Sequence, residues 1–229
     1  MREVVMDTET TGLDPKEGHK IVEIGAVELF NHIPTGRTFH KYINPQRLMP
    51  KEAFDIHGLS DEFLKKHPIF REVAESFLDF IGSSRLIIHN ASFDIRFLNS
   101  ELDGVGFTQI PNDRVLDTLM IARQKFPGSP ASLDALSRRF KVDVSKREKH
   151  GALIDSEILA AVYLELIGGR QPGFELLSSN NSNKDSKIKR RKLNRKEPLL
   201  IRLSIAEKEA HKNFIRTLGD KALWKKFSN

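Results

Sequence analysis

The sequence predicts an α/β fold in which a mixed central sheet is flanked by helices, with a flexible C-terminal extension. Three observations predict it. Early segments rich in Val, Ile and Phe are separated by Gly, Pro, Asp and Asn; later segments carry apolar residues at helical spacing around a short apolar run; and a polar, basic stretch follows near residue 180.

Residues 3–9, 20–30 and 37–43 read as three strands joined as a meander. A helical pattern over 70–81 precedes a short buried strand at 86–89 and a helix at 92–102. Residues 114–117 read as a fifth strand, and 119–126, 132–140 and 152–167 as helices. The order βββαβα with trailing helices matches a ribonuclease-H-like arrangement. There is no internal repeat.

The 229 residues, 39% of them apolar, allow one catalytic domain plus an appendage. With no cysteine, disulfides and thiolate metal sites are excluded, so any metal is held by carboxylates, imidazole and water, which favours Mg²⁺ or Mn²⁺ over zinc. The N-terminus lacks a signal-peptide core and no stretch approaches about 18 apolar residues, so the expectation is a soluble, cytoplasmic protein without a membrane partner. Residues 178–229 carry 15 basic and 5 acidic side chains, leaving 22 and 26 in the first 177. A front domain of that charge can handle nucleic acid only through bound cations and local patches.

Three divisions follow: a domain at 1–177, a flexible basic linker at 178–197 too polar to offset its own ordering entropy, and a segment at 198–229. In the last, Ser204 and Glu207 form a capping box, Ala206, Ala210, Phe214 and Leu218 make one apolar stripe, and Gly219 stands where a C-cap belongs. Such a helix either folds back on the front domain or docks on a partner.

Chemistry enters with Asp7 and Glu9, which strand alternation places on one face with Val5 behind them. A lone pair of this kind is most often a solvated surface pair. Asp94 falls near the centre of an apolar arc flanked by Phe93, Phe97, Leu98 and Leu102, where an unpaired carboxylate is costly; its other reading is a first-turn acid favouring the helix dipole. Asp155 occupies the first slot of a stripe continued by Ile158, Leu159, Val162 and Leu166, again a core position given to an acid or a capping acid. His150, preceding Gly151, is expected in a mobile approach to that helix and off the face of Asp155. Glu101 is expected beyond the covered part of its helix. Together, four acids and a histidine can meet where one sheet edge joins two helix starts.

Asp7-Thr8-Glu9-Thr10-Thr11-Gly12, His89-Asn90-x-x-Phe93-Asp94 and His150-x-Ala152-x-x-Asp155 resemble the three motifs of the DEDDh exonucleases, the family named for four acids and a histidine. The resemblance spans roughly 3–168. It implies a ribonuclease-H-like exonuclease fold and 3′→5′ removal of 5′-mononucleotides. Asp7, Glu9, Asp94 and Asp155 would hold two divalent ions, and His150 would be the general base. It further implies that Glu52 and His57 contact the terminal nucleotide with Thr10 and Phe93 nearby, beside Asp7, Glu9 and Asp155. Within the family, EIGAVE (23–28), EAFDIHG (52–58) and FPGSPASLDALSRRF (126–140) are most similar to the proofreading exonucleases of bacterial replicative polymerases. That branch implies single-stranded DNA at a primer 3′ end as substrate and membership of a nucleotidyltransferase complex. AEKEAH and the closing ALW resemble its polymerase-binding end, which makes Phe214, Leu218 and Trp224 candidates for that contact. Gln171, Phe174 and Leu176 resemble a sliding-clamp-binding peptide, though helix-end packing accounts for them as well. Two rivals remain: a free-standing RNA 3′-end trimmer and a catalytically silent polymerase scaffold. The run KRRK at 189–192 reads as a solvated linker, a nucleic-acid contact or an import signal.

Overall fold

A computed structural model of the chain describes residues 1–145, 147, 149–168 and 203–218. The chain divides into two units, 1–176 and 177–229. In the first, β1 (Arg2–Thr10), β2 (Ile21–Phe30) and β3 (Ile33–Tyr42) are followed by helices α1 (Lys51–His57), α2 (Asp61–Leu64) and α3 (Phe70–Ile81). Then come β4 (Arg85–Ile88), α4 (Ala91–Gly104), β5 (Val115–Asp117), α5 (Thr118–Lys125), α6 (Leu133–Phe140) and α7 (Ala152–Leu166). The sheet order is β3-β2-β1-β4-β5, antiparallel across β3, β2 and β1 and parallel across β1, β4 and β5. This is the expected mixed sheet flanked by helices.

Strand alternation divides the core. Val4 and Met6 join Ile24, Leu86 and Ile88 against α3 and α4, while Val5 joins Val27, Leu29 and Ile87 against Leu159 and Tyr163 of α7. The other side of α7, through Ile158, Val162 and Leu166, packs on Ala122 of α5 and Leu136 of α6. A helix buried on both sides lies deep in the fold, and its first turn is therefore held firmly.

Two elements were not expected. Helices α1 and α2 escape the apolar pattern because few of their residues are buried: Ala53 and His57 in α1, Leu64 in α2. Punctuation defines α1 instead, with Pro50 before it and Gly58 at φ 74° ending it. β3 starts at Ile33, four residues before the expected 37, because its first half is an exposed sheet edge without apolar alternation. The tight β2–β3 turn uses Asn31 and His32 at φ 50° and 65°, the mirror-image turn that matches strand twist.

In the second unit α8 (Ile205–Thr217) forms the expected capping box: Ser204 Oγ accepts from Glu207 N at 3.3 Å and Glu207 Oε2 accepts from Ser204 N at 2.8 Å. Phe214 and Leu218 are exposed. The linker, Gln171, Phe174, Leu176, Gly219 and Trp224 lie outside the described residues. No helix among the described residues is long and apolar enough to cross a membrane.

Candidate active site

Asp7 and Glu9 reach the cleft from the end of β1, beside the point where the sheet changes from antiparallel to parallel pairing. Asp94 rises from the first turn of α4 on the opposite face of the sheet. Asn90, in a left-handed conformation at φ 60°, starts that helix, and its N–H donates to Asp117 Oδ1 at 3.0 Å. Asp94 Oδ1 accepts from Thr8 N at 3.1 Å and Thr8 Oγ1 at 2.7 Å, so β1 itself fixes this acid.

Asp155 depends on a glycine. Gly25 pairs with Asp7 in the β1–β2 ladder, and a Cβ there would lie 2.1 Å from the backbone of Ala152 and Leu153. Its bare backbone lets the first turn of α7 rest on the sheet, where Ser156 Oγ donates to the Gly25 carbonyl at 2.9 Å. Asp155 then points into the cleft at 2% exposure.

All five residues of the acid and histidine set line one cleft of about 550 Å³. Glu9, His150 and Asp155 present ligand atoms within 4.8 Å of one another. Asp7 and Asp94 share the cleft but stand outside that close group. His150 lies in the approach to α7, as expected, but the expectation that it would be off the face of Asp155 is corrected: its Nδ1 is 3.3 Å from Asp155 Oδ2. His150 N–H donates to the Ile56 carbonyl at 3.4 Å, and the Lys149 ammonium lies 5.2 Å from the Phe54 ring centroid, so both residues contact α1. Glu101 is also corrected: it is buried and accepts from Ile21 N at 3.3 Å and Lys20 Nζ at 3.1 Å, which makes it a structural bond between α4 and the start of β2.

Burial acts on every acid, and repulsion from neighbouring acids adds to it. Burial, then Asp94 and Glu9, pushes Asp7 well above the carboxylate range. Burial, then Glu23 and Asp155, raises Glu9 to about 8. Asp94 is raised by burial to about 7 against the pull of the Thr8 hydrogen bonds, and Asp155 is raised by burial against its Arg147 partner. Carboxylates raised this way call for added positive charge, and an all-oxygen and imidazole donor set fits a hard divalent cation.

In the metal-free protein Glu9 titrates near 8 instead of 4.5 and Asp94 near 7 instead of 3.8. Between those values the folded state holds protons that the unfolded state lacks, so the stability these two acids contribute is fully present below about pH 4 and is lost as pH rises through about 7 to 8. In EDTA the melting temperature should therefore fall from about pH 5 to about pH 8.5, and saturating Mn²⁺ should raise it more at the higher pH. A Mn²⁺ increment independent of pH would mean that the metal does not bind these acids.

Thr10, Glu52, His57 and Phe93 all line an adjoining hollow of about 450 Å³, which shares Thr8, Glu9 and Phe93 with the cleft. His57 is 6% exposed, and burial holds its imidazole below the usual range. Its Nδ1 accepts from Leu59 N at 3.1 Å, which places the ring proton on Nε2. The Thr10 carbonyl favours the charged ring but closes no proper hydrogen bond with Nε2, leaving that donor buried and available.

Sequence reasoning missed four contributors: Thr8, Gly25, Glu23 and Arg147. Glu23 lies opposite Glu9 in the ladder, 3% exposed, with His40 Nε2 at 2.7 Å from its carboxylate. An acid inside the otherwise apolar run IVEIGAV was the available signal for it, and the glycine in the same run was the signal for close helix approach. Arg147 carried none, standing in a run of ordinary charged residues.

The family described as Exonuclease, RNase_T, matches residues 4–163. The chain belongs to this exonuclease family. Within it, this exonuclease is 49% identical over 224 residues to the DNA polymerase III subunit epsilon of Rickettsia felis, covering 95% of the chain and 97% of that protein. Among solved structures it is similar to exonuclease X in complex with 5′ overhanging duplex DNA, at 27% identity and TM-score 0.58, covering 72% of this chain and 90% of that one. The nuclease domain of 3′hExo, a DEDDh member bound to rAMP, has the same fold at 19% identity and TM-score 0.62, covering 72% and 91%.

Proposed function

We propose that this exonuclease removes nucleotides one at a time from a DNA 3′ end as 5′-mononucleotides, as the proofreading epsilon subunit of DNA polymerase III. The observation that carries the reading is a set of three buried carboxylates, the half-buried Asp7 and a histidine in one cleft that adjoins a nucleotide-sized hollow. Nucleotidyl transfer belongs to the polymerase alpha subunit, and this chain contributes hydrolysis to the complex.

Asp7, Glu9, Asp94 and Asp155 would hold two divalent ions, Mg²⁺ or Mn²⁺. Those ions, when bound, supply Lewis-acid stabilisation of the phosphoryl oxygens and a more acidic water. The chain's own residues do the rest. Thr8 keeps Asp94 oriented, His150 accepts the proton of the attacking water, and His57 Nε2 donates to the terminal nucleotide. Exposed Leu13 and Ile56 line the hollow with Phe93 and give an unstacked base an apolar bed. Selection follows from fraying: unstacking an end costs a few kcal/mol, roughly, and a mispaired end has partly met that cost before it arrives. Removal is then independent of sequence. Phe214, exposed on α8, and Leu218, exposed at its C-cap, would dock on the alpha subunit with Trp224, and Gln171, Phe174 and Leu176 would contact the sliding clamp.

The test is digestion of a 3′-mispaired primer-template and of single-stranded RNA, with Mg²⁺ or EDTA, by the wild type, Asp7→Ala and His150→Ala. Expected are deoxynucleoside 5′-monophosphates only with metal, abolished by Asp7→Ala and reduced about 10²- to 10⁴-fold by His150→Ala. Preferential RNA trimming would instead identify a free-standing ribonuclease. Inertness even with metal and polymerase would identify a scaffold.

A further inference from the structure

Arg147 lies inside the acid cluster, and neither the motifs nor the mechanism above uses it. Its side chain is 11% exposed. Nη2 donates to Asp155 Oδ2 at 2.9 Å, and Nε lies 2.5 Å from Oδ1 as an ion pair outside hydrogen-bond geometry, so the guanidinium faces both oxygens of an acid whose side chain is 3% exposed. Nη1 pairs with Asp134 at the rim, and Nη2 also lies 2.9 Å from His150 Nδ1. Guanidinium groups only donate, so His150 Nδ1 accepts from Arg147 in this arrangement and cannot also donate to Asp155 Oδ2. One cation thus occupies two of the residues that the reaction needs.

We propose that Arg147 is a resident counter-ion that braces Asp155 and His150 in the metal-free enzyme and must be displaced from Asp155 for the metal to bind. The inference rests on the reading of Asp155 as a metal ligand. A single fixed charge offsets one carboxylate out of four, whereas a divalent ion brings two charges without needing fork geometry. The Asp134 contact at the rim helps hold the guanidinium over Asp155, so weakening that contact eases its release. Metal affinity is consequently set by competition, and the freed Nδ1 of His150 becomes able to face the Asp155 carboxylate.

The experiment is titration of the full chain with Mn²⁺ alone, reading free Mn²⁺ by electron paramagnetic resonance, for the wild type, Arg147→Gln, Arg147→Lys and Asp134→Asn. Arg147→Gln should bind Mn²⁺ at least about tenfold more tightly, because its unpaired Asp155 gains more from the ion. Arg147→Lys should fall between it and the wild type, since lysine keeps the charge and loses the fork. Asp134→Asn, altered outside the four acids, should also tighten binding by loosening the anchor of Arg147, and it serves if either Arg147 variant fails to fold. Equal or weaker Mn²⁺ binding in folded Arg147→Gln and Asp134→Asn overturns the proposal while leaving the metal site intact. A wild type and variants that all take up no Mn²⁺ overturn the metal-site reading and the proposal with it.

Discussion

Asp94→Asn should lower kcat by about 10³-fold, equivalent to about 4 kcal/mol of lost transition-state stabilisation, while making the metal-free protein more heat-stable at about pH 8. The two effects share one cause. Asp94 is 3% exposed and titrates near 7, so above that pH the fold carries a buried charge that the unfolded chain bears at no comparable cost. Asparagine keeps an acceptor for Thr8 N and Oγ1 and removes the charge, and with it the metal-ligand role proposed for Asp94. After discounting for relaxation, the relief is on the order of 2 kcal/mol, or about 4–8 °C in melting temperature. Near pH 5 the wild-type acid is already protonated in the fold, and the advantage should largely vanish. Calorimetry in EDTA at both pH values, with kinetics on a single-stranded oligonucleotide, decides it. Equal stabilisation at both pH values would show that the buried charge is not the source.

Gly25→Ala should cost at least about 3 kcal/mol and reduce kcat by about 10²-fold or more. Its Cβ would lie 2.1 Å from Ala152 C and Leu153 N and 2.4 Å from Ala152 O, all backbone of the first turns of α7. Only lifting the helix relieves that, and lifting it withdraws Asp155 and breaks the Ser156 bond to the Gly25 carbonyl. Gly104→Ala is the control, because nothing lies within 4 Å of a Cβ there. Urea midpoints and kcat for both variants test the idea; an unperturbed Gly25→Ala would mean that the helix start is far more pliable than its burial indicates.

The sheet and the long helices were legible because burial imposes periodicity: α3 occupies 70–81 as its apolar spacing predicts, with Phe70, Val73, Phe77 and Ile81 all buried. Asp94 and Asp155 stood out by violating the same periodicity. α1 was not legible because it lines a hollow and buries only Ala53 and His57, which leaves no apolar stripe for periodicity to reveal. Arg147 and the inward turn of His150 were hidden for another reason. They sit in an irregular segment whose shape follows from contacts with Ile56, Phe54, Asp134 and Asp155, and no local pattern encodes partners that are distant in sequence.

The bond from His150 N–H to the Ile56 carbonyl has a further result. The acids ride on stiff supports: a central strand and two helix starts. His150, the proposed base, instead hangs from α1, the same helix that walls the hollow proposed for the strand end. On that proposal, an end that seats badly should disturb α1 and carry His150 out of line, so that misfit lowers turnover as well as affinity. Quality control of this kind weighs how a terminus sits and is indifferent to which letter it bears.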